Sequence, residues 1–365
     1  MFKIDVRDIR FQILGICTLL IMLGFIFIYN ASIPYANRLG RGDMYFFIKQ
    51  FVSVIVGFMA LFTAYKIPLN FYRKHVMLIF AVTLLLLIVV LFMPALNGAK
   101  RWISLFSVTF QPSEIAKFSV VLYLAHYLDK KDNRMWDLMT GFLPATLLVG
   151  LLAALIIIEP DFGTTMLIVI VAFSMFLVGG ARLMHIFGIV GIVFPILIAV
   201  MFVEDYRKAR FFSFLNPWED RFGIGYQLTQ SLMSTGSGGL MGKGVGNSIQ
   251  KLSFLPEAHT DFIFAIIAEE TGIIGATCVL FLILYLFNKQ LSVAYMHKDK
   301  FRRLLVFGLS LMFFVQSFVH AYVVLGMLPT KGLTLPFISY GGTAIVMSMF
   351  FIGVILRSIE ELEQS

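Results

Sequence analysis

Charge is the first scarcity in this chain. Of 365 residues only 14% are charged, roughly half the ~25% usual in soluble domains. Cysteine is scarcer still: Cys17 and Cys278 are the whole supply. Both sit in apolar runs, which excludes a disulfide framework or a cysteine metal cluster. Hydrophobic residues make up 59% of the chain and mean hydropathy is +0.89. No soluble globule could hide that much apolar surface. A soluble enzyme, a disordered tail and a nucleic-acid-binding module are therefore excluded. The net charge of +8 then speaks of membrane topology and not of DNA. No cleavable signal peptide is expected, because the first apolar stretch is too long for one and no small-residue cleavage site follows it.

What is present is a series of apolar runs. A bilayer span takes about 20 mostly apolar residues. Ten runs qualify, near 10–30, 46–66, 76–94, 113–128, 138–158, 164–181, 185–203, 261–287, 303–325 and 340–358. The fold class expected is all-α: a polytopic integral membrane protein of about ten transmembrane helices, read as a single domain over 1–365. Residues 204–258 form the one long loop, without a span. With a cytoplasmic N-terminus, the short loops place sixteen Lys and Arg inside and five outside. The positive-inside rule then puts both termini inside and the long loop outside.

The unusual residues gather on that outer side. One cluster runs from Lys100-Arg101-Trp102 to Gln111-Pro112-Ser113-Glu114 and Lys117. Ser113 is expected to cap a helix. Glu114 and Lys117, three apart, share a face, either as a structural ion pair or as a polar patch lining a site. Glu159-Pro160-Asp161-Phe162-Gly163 could bind a metal or supply a base, but for Asp161 a turn and helix cap is the favoured reading. The long loop carries Arg207, Lys208 and Arg210, then a glycine run ending Gly242-Lys243-Gly244, with Lys251 beyond. It is not a Walker A loop, since Ser237 and Gly244 stand where that motif needs Gly and Ser or Thr. Glycine-rich backbone beside lysine can still hold an anion. Glu257-Ala258-His259-Thr260-Asp261 opens the eighth span. A carboxylate there must be solvated, paired or useful, or else Thr260 or Asp261 caps the helix. Glu269 and Glu270 lie further along, expected to face other helices or inner loops. Residues 328–343 hold Pro329, Pro336 and three glycines, which stop any regular helix, together with Lys331 and Ser339.

Five strings carry a family resemblance: NGAKRWISL (97–105), FQPSEIAK (110–117), EPDFGTT (159–165), LPEAHTDFIFAIIAEETG (255–272) and LPTKGLTLPFISYGG (328–342). Together they resemble the SEDS family, which includes RodA and FtsW, across essentially the whole chain. The Pro329-Thr330-Lys331-Gly332 form looks like the FtsW branch. Two positions depart from the usual pattern: His320, where relatives commonly carry Asn, and Thr343-Ala344, where they carry Ser-Ser. The resemblance implies a peptidoglycan glycosyltransferase that polymerises lipid II at the outer membrane face, at the septum, with a class B penicillin-binding protein and other divisome membrane proteins as partners. A lipid II flippase, a RodA-like elongation polymerase and a noncatalytic scaffold are the alternatives. It implies that Asp261 is the catalytic carboxylate. The candidate substrate-binding residues are Lys100, Arg101, Glu114, Lys117, Arg210, Lys243, Lys251, Glu257, His259, Thr260, Lys331 and Ser339. A divalent ion, Mg or Mn, could help hold the pyrophosphate, although no ligand set is evident from spacing.

Overall fold

The computed structural model describes residues 6–95, 99–105, 108–203, 205–252 and 254–364. Helices account for all ten expected spans. They are α1 (Val6–Arg38), α2 (Tyr45–Lys66), α4 (Val76–Leu91), α5 (Pro112–Lys130), α6 (Leu143–Ile158, entered through a π-helical turn from Leu138), α7 (Phe162–Val178), α8 (Leu183–Val203), α11 (Ile263–Met296), α12 (Lys300–Val324) and α13 (Gly342–Glu363). A short α3 (Leu69–Lys74) turns the chain between α2 and α4. Six of these helices are long and apolar enough to cross a bilayer, and α4, α7 and the start of α8 are shorter apolar helices. In α5 the first turn is polar and its long middle, Ala116 to Ala125, is buried.

The packing explains the apolar runs. α13 lies along α2, α11 along α12 and α1, and α5 is enclosed by α4, α7 and α12. Exposed Phe58, Met59 and Phe62 on α2, Leu78 and Leu85 on α4 and Phe281 on α11 are the outward faces that a bilayer covers. A multi-pass membrane protein follows.

Successive loops alternate between two ends. One end is closed by ion pairs: Arg10 to Glu360 at 2.8 Å, Arg302 to Glu361 at 2.9 Å, and Arg73 to both Asp129 and Asp299. At the other end an antiparallel hairpin, β1 (Ile103–Leu105) with β2 (Val108–Phe110), precedes α5, with Ile103 opposite Phe110. The long segment 204–258 contains α9 (Asp205–Leu215) and α10 (Tyr226–Ser237). α10 is pinned to its neighbours by Ser231 Oγ donating to Val324 O at 2.7 Å and Ser234 Oγ donating to Ala265 O at 3.1 Å.

α11 departs from the expected continuous helix. Gly272 has φ 69° and ψ −169°, which divides α11 into residues 263–271 and a span of residues 273–296. Backbone from the long loop fills the break: Lys243 N–H donates to Glu269 O and Gly244 N–H to Glu270 O, both at 3.0 Å, and Ile273 N–H to Gly239 O at 2.9 Å. Gly242 and Gly272 sit so close that neither has room for a β-carbon. Of the two surroundings expected for Glu269 and Glu270, other helices or inner loops, Glu269 meets the helix α10 through Ser234 Oγ at 3.0 Å, and both glutamates meet the long loop in place of the inner loops.

Candidate functional site

All five quoted strings send residues to the hairpin end. Their meeting point begins with Asp161, which caps α7 as expected: Oδ1 accepts from Thr164 N at 3.1 Å and Oδ2 from Thr164 Oγ1 at 2.9 Å. Oδ2 also accepts from Gln111 Nε2 at 3.1 Å and Ser113 Oγ at 3.4 Å. The cap thereby joins the start of α7 to the start of α5. Ser113 is not the α5 cap. Gln111 holds that position in an extended conformation, with Pro112 opening the helix, where its missing N–H costs nothing.

Glu159 lies two residues before Asp161, at the end of α6. Its side chain is wholly buried, and neither carboxyl oxygen has a hydrogen-bond partner. Burial, reinforced by the Asp161 charge, pushes its pKa up to about 8, against the opposing pull of Arg101. The Arg101 guanidinium itself holds the turn, through Nε to Glu159 O at 3.0 Å and a second bond to Pro160 O.

Glu114 and Lys117 form a buried ion pair at 2.7 Å. Lys117 Nζ also donates to Gln316 Oε1 at 3.0 Å, and Gln316 Nε2 donates to Thr334 O at 2.8 Å. The pair thus reaches through α12 to the 328–341 loop. One turn on, His320 Nδ1 lies 2.6 Å from Leu333 O. The Glu114–Lys117 pair is structural, the first of its two readings, and it supports the polar loop above it.

That loop brings Lys331 and Gly332 to the site. Lys331 Nζ sits 4.2 Å from the centre of the Phe162 ring, a cation–π contact. Burial lowers its pKa to about 8, and the Asp161 carboxylate partly holds it up. Gly332 faces Asp261: a β-carbon there would lie 3.0 Å from Asp261 Oδ2. Asp261 is half-buried, in the turn before α11. It does not hold the N-cap position expected for it or Thr260; Phe262 does, without a side-chain cap bond. Thr260 Oγ1 instead donates to Glu257 Oε2 at 2.9 Å, on an exposed turn in which Glu257 takes φ 53°.

The remaining candidates divide by place. Ser339 is a buried brace, with Oγ donating to Thr260 O and accepting from Leu335 N, both at 2.7 Å. His259 is buried against Tyr35, Phe46 and Tyr340, with centroids 5.4, 4.6 and 5.5 Å away. Its pKa falls to about 4 through burial, so the ring is neutral and packs beneath the turn. Lys100 is exposed on the loop before the hairpin. Lys243 and Lys251 lie at the break in α11, bonded to Glu269 at 2.7 Å and Glu270 at 2.9 Å. Asn97, Gly98 and the side chains of Arg207 and Arg210 lie outside the described residues. Sequence reasoning missed Gln111 and Gln316, the two amides that tie the carboxylates and the lysine to their neighbours. A glutamine in an otherwise apolar span was the available signal for Gln316.

No three His, Cys, Asp or Glu side chains gather as a metal ligand set among the described residues. A cation such as Mg²⁺ is often held by one or two carboxylates plus substrate phosphates, and these donors fit a metal only in that manner.

Comparison with known proteins identifies the family. The family model FTSW_RODA_SPOVE, described as cell cycle protein, matches residues 11–364. A Coxiella burnetii protein named probable peptidoglycan glycosyltransferase FtsW is 39% identical over 355 residues, 95% of each chain. A Geobacter metallireducens protein of the same name is 38% identical over 363 residues, 98% of this chain and 96% of the relative. Among solved structures, one described as structural coordination of polymerization and crosslinking by a peptidoglycan synthase complex aligns over the whole of both chains with TM-score 0.81 at 23% identity. The rod shape determining protein RodA of Thermus thermophilus aligns over 97% of each chain with TM-score 0.71 at 24% identity. With the family model matched over nearly its full length and relatives close to 40% identical, this chain belongs to the FtsW/RodA/SpoVE family of membrane proteins.

Proposed function

We propose that this chain is a peptidoglycan glycosyltransferase that polymerises lipid II, as the names of its FtsW relatives indicate for them. The observation that carries the reading is one juxtaposition. A half-exposed carboxylate, Asp261, lies against Gly332, and the neighbouring Lys331 stands over Phe162 beside Asp161. Base and cation thus come from two loops fastened together by Ser339.

Asp261 takes the proton of the acceptor 4-hydroxyl. The freed oxygen attacks the donor anomeric carbon from the face opposite the pyrophosphate, the bond to the pyrophosphate breaks, and an α-linkage becomes β. A positioned base of this kind is worth about 10²–10⁴-fold. The departing pyrophosphate carries its negative charge toward Lys331, with Lys100 and Arg101 on the adjacent loop. A divalent ion, where it takes part, would be held by Asp261 and the substrate phosphates and would offset the charge of the pyrophosphate. The glycine-loop cations Lys243 and Lys251 each already face a glutamate, which favours Lys331 as the cation of the site.

The Pro329-Thr330-Lys331-Gly332 form supports a septal role. The fold shared with a peptidoglycan synthase complex supports a class B penicillin-binding partner. The excess of Lys and Arg at the ion-paired end supports cytoplasmic termini and an outward-facing site. Purified protein with its transpeptidase partner, given lipid II in liposomes, should yield glycan strands. Lipid II crossing the bilayer with no polymer formed would replace this reading with a flippase.

A further inference from the structure

The segment 238–252 is built inside out for a loop in water. Its charges are turned inward: Lys243 meets Glu269 and Lys251 meets Glu270, with both glutamates fully buried. Its buried hydroxyl turns inward as well, Ser248 Oγ donating to Glu269 Oε2 at 2.6 Å. Its apolar side chains point out: Leu240 is 68% exposed, Met241 78%, Val245 57% and Ile249 53%. A water-facing loop reverses this order, because exposed apolar clusters cost solvation and buried charge must be paired. A surface facing hydrocarbon has the order seen here.

The depth of the loop is fixed by its bonds to α11. Ile273 N–H donates to Gly239 O at 2.9 Å and Ile274 N–H to Leu240 O at 3.3 Å. Ile273 and Ile274 open the span of residues 273–296 and are themselves exposed. Leu240 and Met241 therefore sit level with the first turn of a membrane span and continue its outward face. The bonds into the break in α11 occupy loop backbone that would otherwise be left bare, a condition for irregular chain at that level.

We propose that residues 239–252 are a membrane-inserted loop whose Leu240, Met241, Val245 and Ile249 side chains seat among lipid acyl chains beside the outer turn of α11. The loop is rigidly coupled to residues 263–271, the helix that follows Asp261, so it holds that turn at the lipid–water boundary. The inference rests on the membrane fold and stands whether or not the reaction is glycosyl transfer.

Spin-label accessibility tests it on the full chain. Nitroxides are placed at Met241→Cys and Val245→Cys in a Cys278→Ser background, with Phe281→Cys as the lipid-facing reference and Glu219→Cys as the water-facing one. The protein is held in nanodiscs of phosphatidylethanolamine and phosphatidylglycerol. The ratio of collisions with oxygen to collisions with a water-soluble nickel chelate should exceed that at Glu219 several-fold at both loop sites and lie below that at Phe281, which is about two helical turns deeper than Ile273. A ratio equal to that at Glu219 places the loop in water and overturns the proposal. Labels shielded from both reagents mean cover by protein, a partner helix or a second copy, and overturn it equally. If the labelled variants fail to insert, Met241→Trp gives the same answer: its added fluorescence should be quenched by brominated acyl chains, and unquenched emission overturns the inference.

Discussion

Gly332 stands against Asp261 with no side chain between them, and a β-carbon at residue 332 would come within 3.0 Å of Asp261 Oδ2. Glycine here sets the position of the carboxylate. Gly332→Val should push the carboxylate aside while leaving the fold intact, since the residue is exposed. A displacement near 1 Å can cost about 10²-fold in rate. Glycan-strand synthesis by the variant, at unchanged membrane levels, checks this; wild-type turnover would remove Gly332 from the site.

The Glu114–Lys117 pair is buried on both sides. Lys117→Met should leave Glu114 charged and alone, a loss of about 3–5 kcal/mol. The double variant Glu114→Gln/Lys117→Met should regain most of that. Thermal unfolding in detergent of the two singles and the double gives the coupling directly, and additive losses would show that the pair is not a unit.

Lys331 has a pKa lowered from the ordinary lysine value to about 8 because it is buried. It is cationic at neutral pH and loses its charge as pH rises through 8. Polymerisation should therefore decline above about pH 8. In Lys331→Arg, whose guanidinium stays charged, the decline should move to higher pH. Lys331→Met should lower the rate by about 10²–10³-fold, the usual loss of one oxyanion partner. An alkaline limb unchanged in Lys331→Arg would assign it to another group.

Glu159 runs the opposite way in stability. Its folded pKa is raised to about 8, above the ordinary carboxylic value. The folded state therefore holds a proton that the unfolded state has released, and stability falls as pH rises from about 4.5 to 8. Glu159→Gln supplies a neutral side chain of the same shape at every pH. Its Tm should exceed that of the wild type at pH 8 and match it near pH 4.5. A variant equally destabilised at both values would show that the carboxyl has a partner requirement beyond charge.

The spans were legible because composition alone dictates them: each apolar run from 10–30 to 340–358 became a helix with ends within a few residues, α1 and α11 running several residues longer. The Asp161 cap was legible from Pro-Asp-Phe-Gly-Thr. The break at Gly272 was not, because the apolar residues on either side of Glu-Glu-Thr-Gly read as one helix and the loop that fills it is remote in sequence. The same remoteness hid the partners of Lys243 and Lys251, which looked like free cations. His259 read as a polar neighbour of Asp261, yet the rings that bury it come from residues 35, 46 and 340. Asp261 itself rested on resemblance; that Gly332 faces it is a matter of tertiary placement.

Asp261→Asn is the decisive variant. Asparagine keeps the size of the side chain and its ability to accept a hydrogen bond, and loses only the negative charge and the basicity. The measurement is the rate of glycan-strand formation from lipid II by the purified variant with its transpeptidase partner, at matched protein levels and matched Tm. Loss of about 10²–10⁴-fold, with folding and partner binding unchanged, is the result expected of a general base. Polymerisation at the wild-type rate would contradict the assignment and leave Asp261 a turn residue.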